Sequence, residues 1–141
     1  MTDDENRPAP QIWHSLRYRD APAALDYLTS VLGFRLVAAY RSADDDSIVE
    51  HAQLHWPEGG GIMIGSHRDT PAWPMQPGCG AAYVVTTRAA EVYERVRDAP
   101  GFEVLQELST DEYDAGGGAS CGVRDPEGNL WSFGTYRGEA G

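Results

Sequence analysis

The sequence predicts an α+β fold of two similar β-α-β-β-β halves, each pairing a short run of strands with one helix. Three observations predict it. Several short stretches read as strands, the alternation of polar and apolar residues being clearest from Ile12 to Arg19. Two other stretches carry apolar residues at helical spacing, one near the start of each half. The order of elements then repeats, and Leu32-Gly33-Phe34-Arg35-Leu36-Val37 ends the first helix as Pro100-Gly101-Phe102-Glu103-Val104-Leu105 ends the second.

In chain order, Ile12 to Arg19 is the first strand. Asp20 is placed to cap the next helix, and Pro22 suits its first turn, where a missing N–H costs nothing. Ala24, Leu25, Leu28, Val31 and Leu32 form the apolar face of that helix, and Gly33 ends it. Strands follow at Phe34 to Tyr40, Ile48 to Trp56 and Gly61 to Ser66, with turns at Asp44-Asp45-Asp46 and Pro57-Glu58-Gly59-Gly60. Residues 67–78 hold three prolines and no periodicity, which marks a linker. In the second half Cys79 to Thr86 is a strand and Thr87 a helix cap. Ala89, Val92, Tyr93 and Val96 form the helix face, and Pro100-Gly101 the stop. Strands are expected at Phe102 to Leu108, Ala119 to Arg124 and Asn129 to Tyr136. A loop from Asp111 to Gly118 and the turn Asp125-Pro126-Glu127-Gly128 separate them. The expectation is one domain over 11–136, with repeats at 11–66 and 79–136, a disordered acidic tail over 1–10 and a short tail over 137–141. The two sheets are expected to join as a curved mixed β-sheet cup with the helices on its outer face. A small ligand would bind in the concavity.

Composition narrows the function. The chain has 141 residues, long enough for a real core. Its formal net charge of −11, from 22 acidic against 11 basic residues, argues against nucleic-acid binding, which needs a basic patch. No apolar run approaches the roughly 20 residues of a membrane span. Met1 to Pro10 shows no basic, apolar signal pattern. Cys79 and Cys121 form no CxxC pair and read as free thiols in a reducing compartment, so a cytoplasmic protein is expected.

Two motifs carry a family likeness. The first is Leu16-Arg17-Tyr18-Arg19-Asp20-Ala21-Pro22-Ala23-Ala24-Leu25-Asp26-Tyr27-Leu28 with Val31-Leu32-Gly33-Phe34. The second is Val123-Arg124-Asp125-Pro126-Glu127-Gly128-Asn129-Leu130-Trp131-Ser132-Phe133. Across 11–136 the chain resembles the vicinal oxygen chelate superfamily of glyoxalase I, bleomycin-resistance proteins, fosfomycin-resistance enzymes and extradiol dioxygenases. It is most similar to the PhnB-like members of unassigned activity. The resemblance implies a divalent metal held by His, Glu or Gln at inward-facing strand positions. Here those positions fall on Trp13, Met63, Gly80 or Ala81, and Ser132, none of which suits a hard or borderline cation. No metal and no cofactor are therefore expected. His14 is one residue out of phase with the first of these positions, which turns it to the opposite face, under the helix. His51 and His55 face the same way but lie about 13 Å apart along a strand, too far to share one ion.

Strand phase points Trp13 and Arg17 into the concavity from the first strand, with Ser15 and Arg19 on the same face. His51, Gln53 and His55 follow from the third strand, Met63 from the fourth, Tyr83 and Val85 from the fifth and Ser132 from the last. Trp13, Arg17, His51, Gln53, His55, Met63, Tyr83 and Ser132 are the candidate ligand-binding residues. An aromatic, thioether and amide lining with one cation suits a flat or amphipathic organic molecule. The resemblance to glyoxalase I-like members implies that Arg17 holds an anionic group. A structural ion pair with one of the surplus acids is the alternative. No nucleophile motif, phosphate loop or readable carboxylate pair is present.

Three functions remain open. The first is a metal-free binding protein that sequesters a small organic molecule, as bleomycin-resistance proteins do. The second is a lyase, isomerase or dioxygenase-type enzyme with a relocated metal or none. The third is a structural or partner-binding module. The resemblance also implies a homodimer. Neither nucleic acid nor membrane is an expected partner.

Overall fold

The computed structural model describes residues 8–111 and 118–141. The chain divides into two compact units, one ending at Gly78 and the other beginning at Cys79. Each is an α+β module of the order β-α-β-β-β. Among the described residues no helix is long and apolar enough to cross a membrane.

In the first unit, β1 (His14–Tyr18) leads into α1 (Ala21–Tyr27), then β2 (Arg35–Arg41), β3 (Val49–His55) and β4 (Gly61–Ser66). The sheet order is β1-β4-β3-β2, with β1 parallel to β4 and the remaining pairs antiparallel, so the sheet is mixed. Helix α1 starts where its cap residue predicts: Asp20 Oδ1 accepts from the Ala23 N–H at 3.1 Å. It does not stay α-helical to Leu32. Residues Leu28–Leu32 form a π-helical turn, closed by the Gly33 N–H reaching the Leu28 carbonyl five residues back. The Thr29 and Ser30 hydroxyls donate to the Leu25 and Asp26 carbonyls, in competition with the backbone donors of an ordinary turn. Gly33, at φ 103°, supplies the left-handed residue that ends the helix.

The core of this unit lies between α1 and one face of the sheet. Leu16, Tyr18, Ala24, Leu25, Leu28, Leu32, Ala52, Leu54, Ile62 and Ile64 are all buried there. Each large side chain contributes roughly 1.5–3 kcal/mol by leaving water. Tyr18 meets Tyr27 edge-on, and Phe34 meets Trp56 the same way.

His14 stands on the same face as Leu16 and Tyr18, opposite Ile62 in the β1–β4 register. Burial lowers its pKa below the ordinary 6.5. As pH falls, the unfolded chain takes up this proton first, so stability present above about 6.5 is lost as pH drops toward the folded-state value. We expect the urea midpoint to fall between pH 7.5 and 5.5, and His14→Gln to remove part of that fall. An equal fall in wild type and variant would show that His14 contributes nothing to it.

In the second unit, β5 (Ala81–Val85) precedes α2 (Ala89–Val96), β6 (Glu103–Asp111), β7 (Gly118–Arg124) and β8 (Leu130–Gly134). The order β5-β8-β7-β6, with β5 parallel to β8, repeats that of the first sheet. Thr87 is not the cap of α2. Arg88 occupies that position without a side-chain bond, while Thr86 Oγ1 accepts from the Arg88 N–H at 3.0 Å. Strand β6 also runs beyond Leu108 to Asp111. Most of the loop expected from Asp111 to Gly118 lies outside the described residues.

Val92 and Val96 of α2 pack with Cys121, Val123, Trp131 and Phe133, all buried. The turn between β7 and β8 is tied by Asp125, itself 2% exposed. Its Oδ1 accepts from the Glu127 and Asn129 N–H groups, and its Oδ2 from Asn129 Nδ2 and from Trp131 Nε1. Asn129 Oδ1 in turn accepts from the Gly80 N–H at 2.9 Å, which anchors the start of β5.

Candidate functional site

Each sheet has one face covered by its helix and one that is not. In the first unit the register fixes which residues share the uncovered face. Ser15 pairs with Met63 and Arg17 with Gly65. Across the next pair Gln53 meets Met63 and His55 meets Gly61, and across the last Tyr40 meets His51. Side chains alternate along strands, so Arg17, Met63, His51, Gln53 and His55 stand together there, all half-buried. Trp13 precedes β1 but reaches the same face. Its ring lies over Gly61, where a Cβ would come within 2.6 Å of it, and 5.6 Å from the His55 ring.

Two glycines make this surface. Gly61 gives room to the Trp13 indole, and Gly65 gives room to the Arg17 guanidinium, whose Nη1 would collide with a Cβ at that position. The Arg17 guanidinium makes no hydrogen bond or ion pair with another described residue. Burial lowers its pKa, and the nearby charge of Arg68 lowers it further. Along β3, Gln53 Nε2 lies 3.0 Å from His51 Nε2, and the His51 ring stacks on Tyr40 at 6.3 Å and 17°. With the amide donating, His51 accepts at Nε2 and carries its proton on Nδ1.

Tyr83 and Ser132, the other expected residues, belong to the second unit, where they are direct neighbours across β5 and β8. They line a concavity of about 450 Å³ on the face away from α2, together with Ala81, Leu105, Gln106 and Leu130. The Tyr83 hydroxyl donates to the Tyr136 carbonyl at 2.6 Å, and the ring rests over Gly134. Cys121 is buried on the opposite, helix-covered side, and burial pushes its thiol up to about 11, which makes it inert at neutral pH.

The eight expected residues thus fall into a set of six in the first unit and a pair in the second. Tyr40, Arg68, Leu105, Gln106 and Leu130 were not among them. Tyr40 and Gln106 sit on strands interrupted by register shifts, at Leu36/Ala38 and Tyr40/Arg41 in β2 and around Gln106 in β6. A bulge resets which residues face which way, so alternation alone does not place them.

The family profile described as Glyoxalase/Bleomycin resistance protein/Dioxygenase superfamily matches residues 11–133. The chain belongs to that superfamily. No curated protein matches it significantly. Among solved structures, TioX from Micromonospora sp. ML1 is 27% identical, with a TM-score of 0.69, over 91% of this chain and 98% of TioX. TnmS3, an antibiotic binding protein from Streptomyces sp. CB03234, is 19% identical, with a TM-score of 0.62, over 91% and 95%. A PhnB protein from Bacillus cereus is 17% identical, with the same TM-score of 0.62, over 87% and 97%.

At the positions where the resemblance places the superfamily's metal ligands stand an indole, a thioether, a glycine or alanine, and a hydroxyl, from Trp13, Met63, Gly80 or Ala81, and Ser132, a donor set that does not suit a hard or borderline cation. Among the described residues no group of three or more His, Cys, Asp or Glu side chains comes together to hold an ion.

Proposed function

We propose that this superfamily member is a metal-free binding protein that holds a small organic molecule bearing an oxyanion, and does not transform it. The observation that carries this reading is Arg17. A half-buried guanidinium with no acidic partner among the described residues, in a chain holding twice as many acids as bases and with Arg68 beside it, is costly to leave uncompensated. A carboxylate or phosphate over Gly65 would accept two parallel N–H bonds from it. Around that cation, Trp13, His55, the His51–Tyr40 stack and Met63 offer flat and polarizable surface, and Gln53 an amide. Tyr83 and Ser132 line a separate concavity on the second sheet and are no part of this seat. That TnmS3 is an antibiotic binding protein supports holding as a use to which such a fold is put.

Elemental analysis and a thermal-shift screen test this reading together. Purified protein is expected to carry Zn, Ni, Mn and Fe far below one per chain. Aromatic carboxylates such as 1-naphthoate should raise the melting temperature by mass action. Stoichiometric metal, or turnover of a methylglyoxal-thiol adduct or a catechol, would overturn it.

A further inference from the structure

The second unit contains a row of side chains that Arg17 does not explain. Four residues stand side by side across the sheet on the face away from α2. Tyr83 on β5 is opposite Ser132 on β8, Ser132 is opposite Gly122 on β7, and Gly122 is opposite Gln106 on β6. Adjacent strands lie roughly 4.8 Å apart, so the row spans about 14 Å.

Each member of the row is set by its neighbour. Tyr83 lies flat because Gly134 beneath it has no Cβ and because its hydroxyl is bonded to the Tyr136 carbonyl. It therefore presents a ring face rather than a hydroxyl, and the residue as a whole is 46% exposed. At the other end, Gly122 lets the Gln106 side chain fold across β7 toward Ser132, its Oε1 standing 3.3 Å from where a Cβ on Gly122 would be. Neither the Gln106 amide nor the Ser132 hydroxyl makes a hydrogen bond with another described residue. The concavity above the row is lined by Leu105, Leu130 and Ala81 besides, and none of the described residues that line it is charged.

From this geometry we infer that the second-unit concavity is a site for an uncharged planar heterocycle with a lactam or carboxamide edge. The ring stacks on Tyr83. Its N–H and C=O meet the Gln106 amide, which offers both an acceptor and donors, and the Ser132 hydroxyl, which offers one of each. The described lining, all uncharged, disfavours an ionised ligand, since none of its groups would repay the lost hydration of a charge. At about 450 Å³ the space falls within the range of sites that take drug-sized molecules. This site shares no residue with the Arg17 seat, so either can fail without the other.

The test uses the full chain with three probes: 2-quinolone, its N-methyl derivative and quinoline-2-carboxylate, followed by calorimetry and thermal shift. The first is expected to bind, the second about tenfold more weakly for want of its N–H, and the third not at this site. Gln106→Leu and Ser132→Ala should each weaken 2-quinolone about five- to tenfold, the loss of one neutral hydrogen bond. Gly122→Ala, whose new methyl pushes only the flexible Gln106 side chain, should weaken it similarly while the melting temperature of the free protein holds. Arg17→Met should leave 2-quinolone binding unchanged. Equal binding of 2-quinolone and its N-methyl derivative, indifference to both Gln106→Leu and Ser132→Ala, or no binding at all would overturn the inference.

Discussion

Replacing Asp125 with alanine is expected to destabilise the protein by about 3 kcal/mol or more, a fall of roughly 10 °C in melting temperature. One carboxylate accepts four hydrogen bonds in the turn Asp125-Pro126-Glu127-Gly128, and three of the four donors belong to Asn129 and Trp131, which are 1% and 2% exposed. Truncation leaves those donors facing no acceptor in a place water does not reach, at about 1–3 kcal/mol for each group. Asp125→Asn should cost less, because one oxygen remains, but its amide nitrogen then opposes a donor on Asn129 or Trp131. Asn129→Ala should cost less again, since it frees chiefly the Gly80 N–H at the start of β5. Urea denaturation of the three variants gives the order directly. A loss under about 1 kcal/mol for Asp125→Ala would mean that the turn is held by its backbone alone.

That turn was legible in the sequence as an Asp-Pro-Glu-Gly corner, but its reach was not. Nothing in the local pattern says that the carboxylate bonds an indole six residues on, because that contact depends on how β8 lies against β7. The same division runs through the molecule. Asp20 and Gly33 bound the first helix by rules that act within four residues, and both hold in the structure. The π-helical turn between them follows from hydroxyls at Thr29 and Ser30 that the apolar spacing of Leu28 and Leu32 conceals. Alternation located Arg17, His51, Gln53, His55 and Met63 on one face because β1, β3 and β4 pair without a register shift. It misses Gln106, which follows a shift in β6, and Arg68, which lies in a stretch without regular structure whose path brings it near Arg17. The π-helical turn apart, what the local rules could not carry is a contact made by a neighbouring strand or loop.

Arg17→Met should show the opposite signature to Asp125→Ala. It should abolish most binding of an anionic probe such as 1-naphthoate, with an affinity loss of about 3 kcal/mol, or about 150-fold, for two charge-assisted hydrogen bonds. The melting temperature of the free protein should nonetheless hold or rise. Arg17 has no partner among the described residues to lose, its burial disfavours the charged form, and Arg68 repels it. A methionine of similar length can cover Gly65 and Met63 without any of these terms. Groups kept for function at the expense of stability behave this way on replacement. Arg17→Lys separates charge from shape: it keeps the cation but not the planar fork, so a carboxylate should lose less than with methionine, though still measurably. Arg68→Gln should relieve the repulsion and weaken the probe by only the lesser amount expected of a more exposed charge. A free protein destabilised by more than about 1 kcal/mol in Arg17→Met would instead reveal a structural ion pair. Such a result would remove the observation on which binding of an oxyanion rests.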